Sequence, residues 1–148
     1  MVCLGNICRS PLAEGILADK IAKKGLDWDV DSAGTGGWHV GNLPDYRSIA
    51  VAKKYGIDLT NQRARQLQLS DLEDFDLIFA MDSSNFSDIK TKAKNEQQIN
   101  KIHLIRNLVN PNENRAVPDP YYDDNGFEEV YFMLDEACDK ILEKWTSQ

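Results

Sequence analysis

The chain is poor in cysteine, histidine, positive charge and long apolar runs. Its three cysteines, Cys3, Cys8 and Cys138, are too few and odd in number for a disulfide framework. Its two histidines, His39 and His103, match no cysteine spacing that would give a structural zinc site. No apolar stretch approaches the ~20 residues that span a bilayer, and no basic segment ahead of an apolar run marks a secretory signal. Seventeen Lys and Arg against 24 Asp and Glu give a net charge of −7. That balance argues against nonspecific binding to nucleic acid or anionic membranes. It also means that any anionic ligand must be drawn in by a local positive site. A reducing cytoplasm is the expected setting. With 42% hydrophobic residues and neither repeat nor linker, residues 1–148 read as a single domain with a real core.

Against these absences stands one dense stretch at the start, M-V-C-L-G-N-I-C-R-S-P. It reads as a strand end, a tight loop and a helix N-terminus. Ser10 is the expected N-cap and Pro11 suits the first helical turn. Leu12, Ile16, Leu17 and Ile21 repeat at helical spacing, and Lys23, Lys24 and Gly25 close the helix. A junction of this kind binds anions, because the first helical N–H groups are unpaired and the helix dipole adds partial positive charge. Gly5 and Asn6 tolerate the positive φ that a curled loop needs, and Leu4, Gly5, Asn6, Ile7 and Cys8 would form the rim of donors. Arg9 supplies a two-donor fork for two phosphate oxygens. Cys3 falls at the base of the cup, where the same field favours the thiolate, and Ser10 is placed to donate to that sulfur. The pattern C-x5-R-S thus points to in-line attack of a thiolate on phosphorus, with the cup stabilising the equatorial oxygens.

The remaining chain alternates helices and short strands. Trp28–Ala33 alternates as a strand and leads into a glycine-rich loop, residues 33–42, that lacks the spacing of a dinucleotide loop. A helix follows Leu43-Pro44-Asp45-Tyr46-Arg47 and stops at Gly56. Arg63 and Arg65 read as a solvated pair, and Ser70-Asp71-Leu72-Glu73 as a capping box. Asp76–Asp82 is a buried-strand pattern ending in an acid, and Ile102–Ile105 is a further strand. His39 and His103 read as solvent-side residues. Phe127 to Trp145 carries one continuous apolar face that includes Cys138. Between them, Val117-Pro118-Asp119-Pro120-Tyr121-Tyr122 places an acid between two prolines that fix its backbone. Such an acid could protonate a leaving oxygen and then activate water.

The string from Val2 to Pro11 closely resembles the signature loop of the low-molecular-weight protein tyrosine phosphatases. The resemblance extends to D-S-A-G near Ser32, M-D-S-S-N at Asp82 and D-P-Y-Y at Asp119. It implies an α/β, flavodoxin-like domain: a four-stranded parallel sheet with helices on both faces and the site at the strand C-terminal edge. It implies a phosphocysteine intermediate on Cys3, binding by Arg9 and acid catalysis by Asp119. Trp38 and the Tyr121–Tyr122 pair would wall the cleft, Ser32 would brace Asn6, and Asp82 would hold the loops. A reversible disulfide between Cys3 and Cys8 is part of the same resemblance. The implied substrates are phosphotyrosine proteins or aryl phosphates, with inorganic phosphate and other oxyanions as product or inhibitors, and with no metal or cofactor. Only two residues precede Cys3, whereas in the resembled family an apolar run ends there. The first strand is therefore expected to be truncated, with neighbouring backbone groups left unpaired.

Three rival readings follow from the same loop. Arsenate reductases resemble it but need further redox cysteines, which residues 83–94 lack. Protein arginine phosphatases carry a threonine where this chain has Ile7. A noncatalytic phosphate- or phosphopeptide-binding module would need neither Cys3 nor Asp119.

Overall fold

The computed structural model describes residues 1–146. Four parallel strands form one sheet in the order β2-β1-β3-β4. They are β1 (Val2–Cys3), β2 (Ala33–Gly34), β3 (Ile78–Ala80) and β4 (Ile102–Leu104). Val2 stands opposite both Ala33 and Ala80, so β1 is central although it spans two residues. The helices are α1 (Arg9–Lys24), α2 (Tyr46–Lys54), α3 (Asp71–Asp74), α4 (Ser83–Lys92), α5 (Glu96–Ile99) and α6 (Phe127–Thr146).

The two-residue period of the strands sorts the core into two layers. Cys3, Phe79 and Met81 face a cluster with Leu12 and Ile16 of α1, Val51 of α2 and Leu134 and Cys138 of α6. Val2, Ile78 and Ala80 face the opposite cluster with Leu72 of α3 and Ile89 of α4. Helices thus cover both faces, as expected. The chain leaves β1 for β2 on one side and later crosses to β3 on the other. This reversal opens a crevice beyond the carboxyl ends of β1 and β3.

Three local expectations change. α1 begins at Arg9 with Cys8 as its N-cap, because the Ser10 hydroxyl is engaged with Cys3 and Asn6 rather than with helix amides. Of Trp28–Ala33, only Ala33 is a strand residue; ahead of it the Asp31 carbonyl still accepts from the Met1 amino group at 3.1 Å. Ser70 makes no side-chain cap for α3; the Asp71 carboxylate instead accepts from the Gln68 N–H at 2.8 Å. The short β1 also has its expected consequence. Val30 and Leu77, on either side of its starting edge, make no backbone hydrogen bond among the described residues. A cavity of about 640 Å³, lined by Met1, Leu17, Trp28, Val30, Leu77 and Trp145, opens at that edge. No helix among the described residues is long and apolar enough to cross a membrane.

Candidate active site

β1 delivers Cys3 to the carboxyl edge of the sheet, and the following five residues curl into α1. Asn6 alone in this loop takes a left-handed conformation, φ 56°. Gly5 was expected to share it and does not; what glycine provides there is space, because a Cβ would stand 3.0 Å from His39 Cδ2. Gly34 carries a stricter demand. A Cβ there would fall 2.8 Å from the Leu4 carbonyl and 3.1 Å from the Asn6 nitrogen, both backbone atoms that cannot yield cheaply. The Asn6 side chain is buried and fully used. Its amide donates to Ser10 Oγ and Ser32 Oγ, each at 2.9 Å, and its carbonyl accepts from the Arg65 N–H at 3.0 Å. These bonds offset the strain of a left-handed non-glycine residue.

Cys3 Sγ lies 2.9 Å from Ser10 Oγ. Ser10 already accepts from Asn6, so its own proton is available to the sulfur. The α1 N-terminus above has no side-chain cap and no acid in its first turn, which leaves its N–H groups and dipole for an external anion. Arg9 is buried, and its Nη1 donates to the Asp82 carboxylate at 2.7 Å and to the Val117 carbonyl at 3.1 Å. Its Nε–Nη2 edge makes no hydrogen bond among the described residues, which leaves that fork for an oxyanion. Asp82 also caps α4 by accepting from the Asn85 N–H at 2.8 Å, so one carboxylate joins the end of β3 to Arg9.

Asp119 reaches the cup from the opposite side, its carboxylate 3.8 Å from Arg9 Nη2. The Val117 N–H, bonded to the Met81 carbonyl at 2.8 Å, ties its loop to the end of β3. Asp119 accepts from the Tyr121 N–H at 3.1 Å and so starts a 3-10 turn, Pro120–Tyr122. Tyr121 and Tyr122 meet edge to face at 4.9 Å. Trp38 stands opposite, its ring seated on Gly36, where a Cβ would fall 1.9 Å from the indole. The resulting cleft of about 240 Å³ is lined by Cys3, Ile7, Arg9 and Asp119 below and by Trp38, Tyr121 and Tyr122 at the mouth. Leu4, Gly5 and Cys8 line it as well, whereas Asn6 and Ser10 lie behind the loop as braces.

Sequence reasoning left several members of this site unassigned. His39 is half-buried and lines the cleft beside Trp38. Arg63 is exposed as expected, but Arg65 is not simply solvated: it pairs with Asp31 at 3.1 Å and Asp71 at 2.9 Å while its N–H holds Asn6. Glu14 accepts from Ser32 Oγ at 2.6 Å, and burial pushes its carboxyl above the usual range. The line from Cys3 therefore runs through Ser10, Asn6 and Ser32 to Glu14. Burial, with the Asp45 and Asp119 charges, pushes the Cys8 thiol up to about 12. Cys3, Cys8 and Cys138 are all free thiols. Among the described residues no cluster of three His, Cys, Asp or Glu is placed to hold a metal ion.

A family model described as low molecular weight phosphotyrosine protein phosphatase matches residues 1–148. The chain belongs to this family. The phosphatase is 45% identical over 145 residues to the low molecular weight phosphotyrosine protein phosphatase of Schizosaccharomyces pombe, spanning 95% of this chain and 92% of that one. Its fold superposes on the crystal structure of YfkJ from Bacillus subtilis with a TM-score of 0.91 at 42% identity, covering 99% and 92% of the two chains. It also superposes on the Drosophila arginine phosphatase DARP, with a TM-score of 0.92 at 37% identity over 99% and 96%. The phosphatase is an enzyme of the protein tyrosine phosphatase class, a hydrolase of phosphate monoesters.

Proposed function

We propose that this chain hydrolyses phosphotyrosine and related aryl phosphates through Cys3, Arg9 and Asp119. The observation that carries the reading is their convergence on one cleft: the Cys3 sulfur beneath an uncapped helix start, the Arg9 fork held by Asp82, and Asp119 across from it. The Arg9 fork and loop N–H groups bind the phosphate oxygens. The Cys3 thiolate attacks phosphorus as the P–O bond to the aryl group breaks, and the Asp119 carboxyl gives its proton to the departing oxygen. In the second step Asp119, now a carboxylate, takes a proton from the water that attacks phosphorus. The P–S bond breaks, inorganic phosphate forms, and the Ser10 hydroxyl donates to the returning thiolate. Inorganic phosphate and other oxyanions compete for the same cup. Trp38, Tyr121 and Tyr122 flank a ring entering from the mouth.

The test is steady-state hydrolysis of an aryl phosphate, without added metal, by the wild-type chain and by Cys3→Ser. Turnover abolished by the substitution is the expected result; none from folded wild-type protein sinks the reading. The likeness to an arginine phosphatase supports a second reading, phosphoarginine hydrolysis. The apolar Ile7 on the cleft wall and the tyrosine pair at its mouth favour the aryl substrate. Parallel assays on phosphotyrosine and phosphoarginine peptides separate the two.

A further inference from the structure

Arg47 lies outside the catalytic constellation, yet its guanidinium touches three segments at once. Nε and Nη2 fork onto the Asp45 carboxylate at 3.0 and 2.9 Å. Nη2 also donates to the Tyr121 carbonyl at 2.9 Å, and Nη1 reaches the Asp124 carboxylate at 2.5 Å. The planar group rests 4.6 Å from the Phe127 ring centre, at the start of α6. The same helical turn grips the phosphate loop, since the Asp45 N–H donates to the Ile7 carbonyl at 2.8 Å and the Ser48 hydroxyl to the Cys8 carbonyl at 3.2 Å. From Pro118 to Asn125, every hydrogen bond that reaches beyond this loop and the start of α6 ends on Arg47, among the described residues. Before the acid, Val117 is held by Met81 and Arg9; beyond it, the loop hangs from the turn of α2 that also grips the cup, and Arg47 makes that second link.

We propose that Arg47 is a positioning residue that sets Asp119 in register with the cup. This rests on the phosphatase reading above. The physical case is the fork itself. One planar group satisfies a fixed carboxylate on its own helix and a carbonyl two residues beyond the acid, so the acid loop inherits the position of α2. Lysine, a point charge without the fork, could not hold both partners in one geometry. Arg47 does not touch the reacting atoms. Its effect must appear in proton delivery to the leaving oxygen, the step that depends on where Asp119 stands.

The test uses Arg47→Gln, Arg47→Lys and Asp119→Asn, with Arg47→Gln also made on Asp119→Asn. kcat/KM is measured on aryl phosphates running from a nitrophenol, a good leaving group, to unsubstituted phenol, a poor one. Inhibition by inorganic phosphate reports the cup separately. Arg47→Gln is expected to lose about tenfold on phenyl phosphate, a fraction of what a general acid supplies, and about twofold on the nitrophenyl ester. Phosphate inhibition should stay within about twofold, the loss should vanish on the Asp119→Asn background, and Arg47→Lys should rescue it only in part. A loss equal across leaving groups, or one matched by weakened phosphate inhibition, overturns the proposal and makes Arg47 a support for the cup. No loss in either variant overturns it too. If wild-type protein turns over none of the esters, the phosphatase reading itself has failed.

Discussion

Asp82→Asn is a near-isosteric change that tests how Arg9 is aimed. The Arg9–Asp82 contact is 2.7 Å long, with the arginine almost wholly buried and the Asp82 side chain 25% exposed. A hydrogen bond to a charged partner contributes about 1.5–3 kcal/mol. Asparagine can still accept from the Asn85 N–H and cap α4, so the change removes the charge while sparing the cap. We expect a loss of about 2 kcal/mol in urea unfolding, or roughly 4–8 °C in Tm for a domain of this size. Asp82→Ala adds the lost cap, about 1 kcal/mol more. The larger effect falls on catalysis. Freed of Asp82, the guanidinium turns toward Asp119, now 3.8 Å away, which misaims the fork and ties up the acid. A displacement of about 1 Å costs roughly a hundredfold, so kcat/KM for an aryl phosphate should fall by about that factor and phosphate inhibition should weaken with it. Unfolding curves and steady-state rates on the same preparations decide the matter. If Asp82→Asn keeps kcat/KM within about twofold, Asp82 does not aim Arg9 and the reasoning fails.

Two further outcomes follow from the titration of buried groups. At neutral pH Cys8 and Cys138, each pushed up to about 12 by burial, stay protonated. Iodoacetate should therefore give a single adduct by mass spectrometry, at Cys3, and inorganic phosphate should slow it; labelling at Cys8 first would contradict the assignment. Burial raises the Glu14 carboxyl above 4.5, so the folded state binds its proton more tightly than the unfolded chain does. This contribution is fully present below pH 4.5 and is lost as pH rises through the folded pKa, and Glu14→Gln should flatten that slope in urea midpoints measured across it. An unchanged slope would show that Glu14 does not titrate in that window.

The proposed chemistry could be read from the sequence because its groups are local. Cys3, Arg9 and Ser10 lie within eight residues of one another, and a loop feeding a helix leaves them few ways to point. Asp119 was legible for a related reason, since the prolines on either side make its backbone conformation a property of the tripeptide. What escaped notice was held from a distance. Arg65 looked like one of two surface arginines, because nothing in Arg63-Ala64-Arg65 tells which N–H will meet Asn6 or which guanidinium will meet Asp71. Glu14 sits at an ordinary helical position, and only the approach of Ser32 after the first crossover joins it to the braces behind the loop. The two-residue period of the strands assigned faces but not lengths: Trp28–Ser32 alternates as a strand should, yet β2 takes in only Ala33 and Gly34.

The contacts that brace the phosphate loop, some expected from the sequence and some not, share one purpose. In the proposed reaction Arg9 presents a free fork to an oxyanion, and an unaided arginine near Asp119 would close on it. Asp82 prevents this by taking Nη1, at the end of a different strand. Ser10 must donate to sulfur rather than cap its own helix, and Asn6 ensures it by filling the acceptor side of the hydroxyl. Ser32 fixes Asn6, and Glu14 fixes Ser32. In each case a residue that would otherwise close on another partner is held by a brace: Ser10 by Asn6 within the loop, Arg9 and Asn6 by Asp82 and Ser32 from elsewhere in the fold. On the proposed reading, that is why a ten-residue motif needs the whole sheet: the loop would supply the reacting groups, and the crossovers on both sides of β1 would keep them free for an anion.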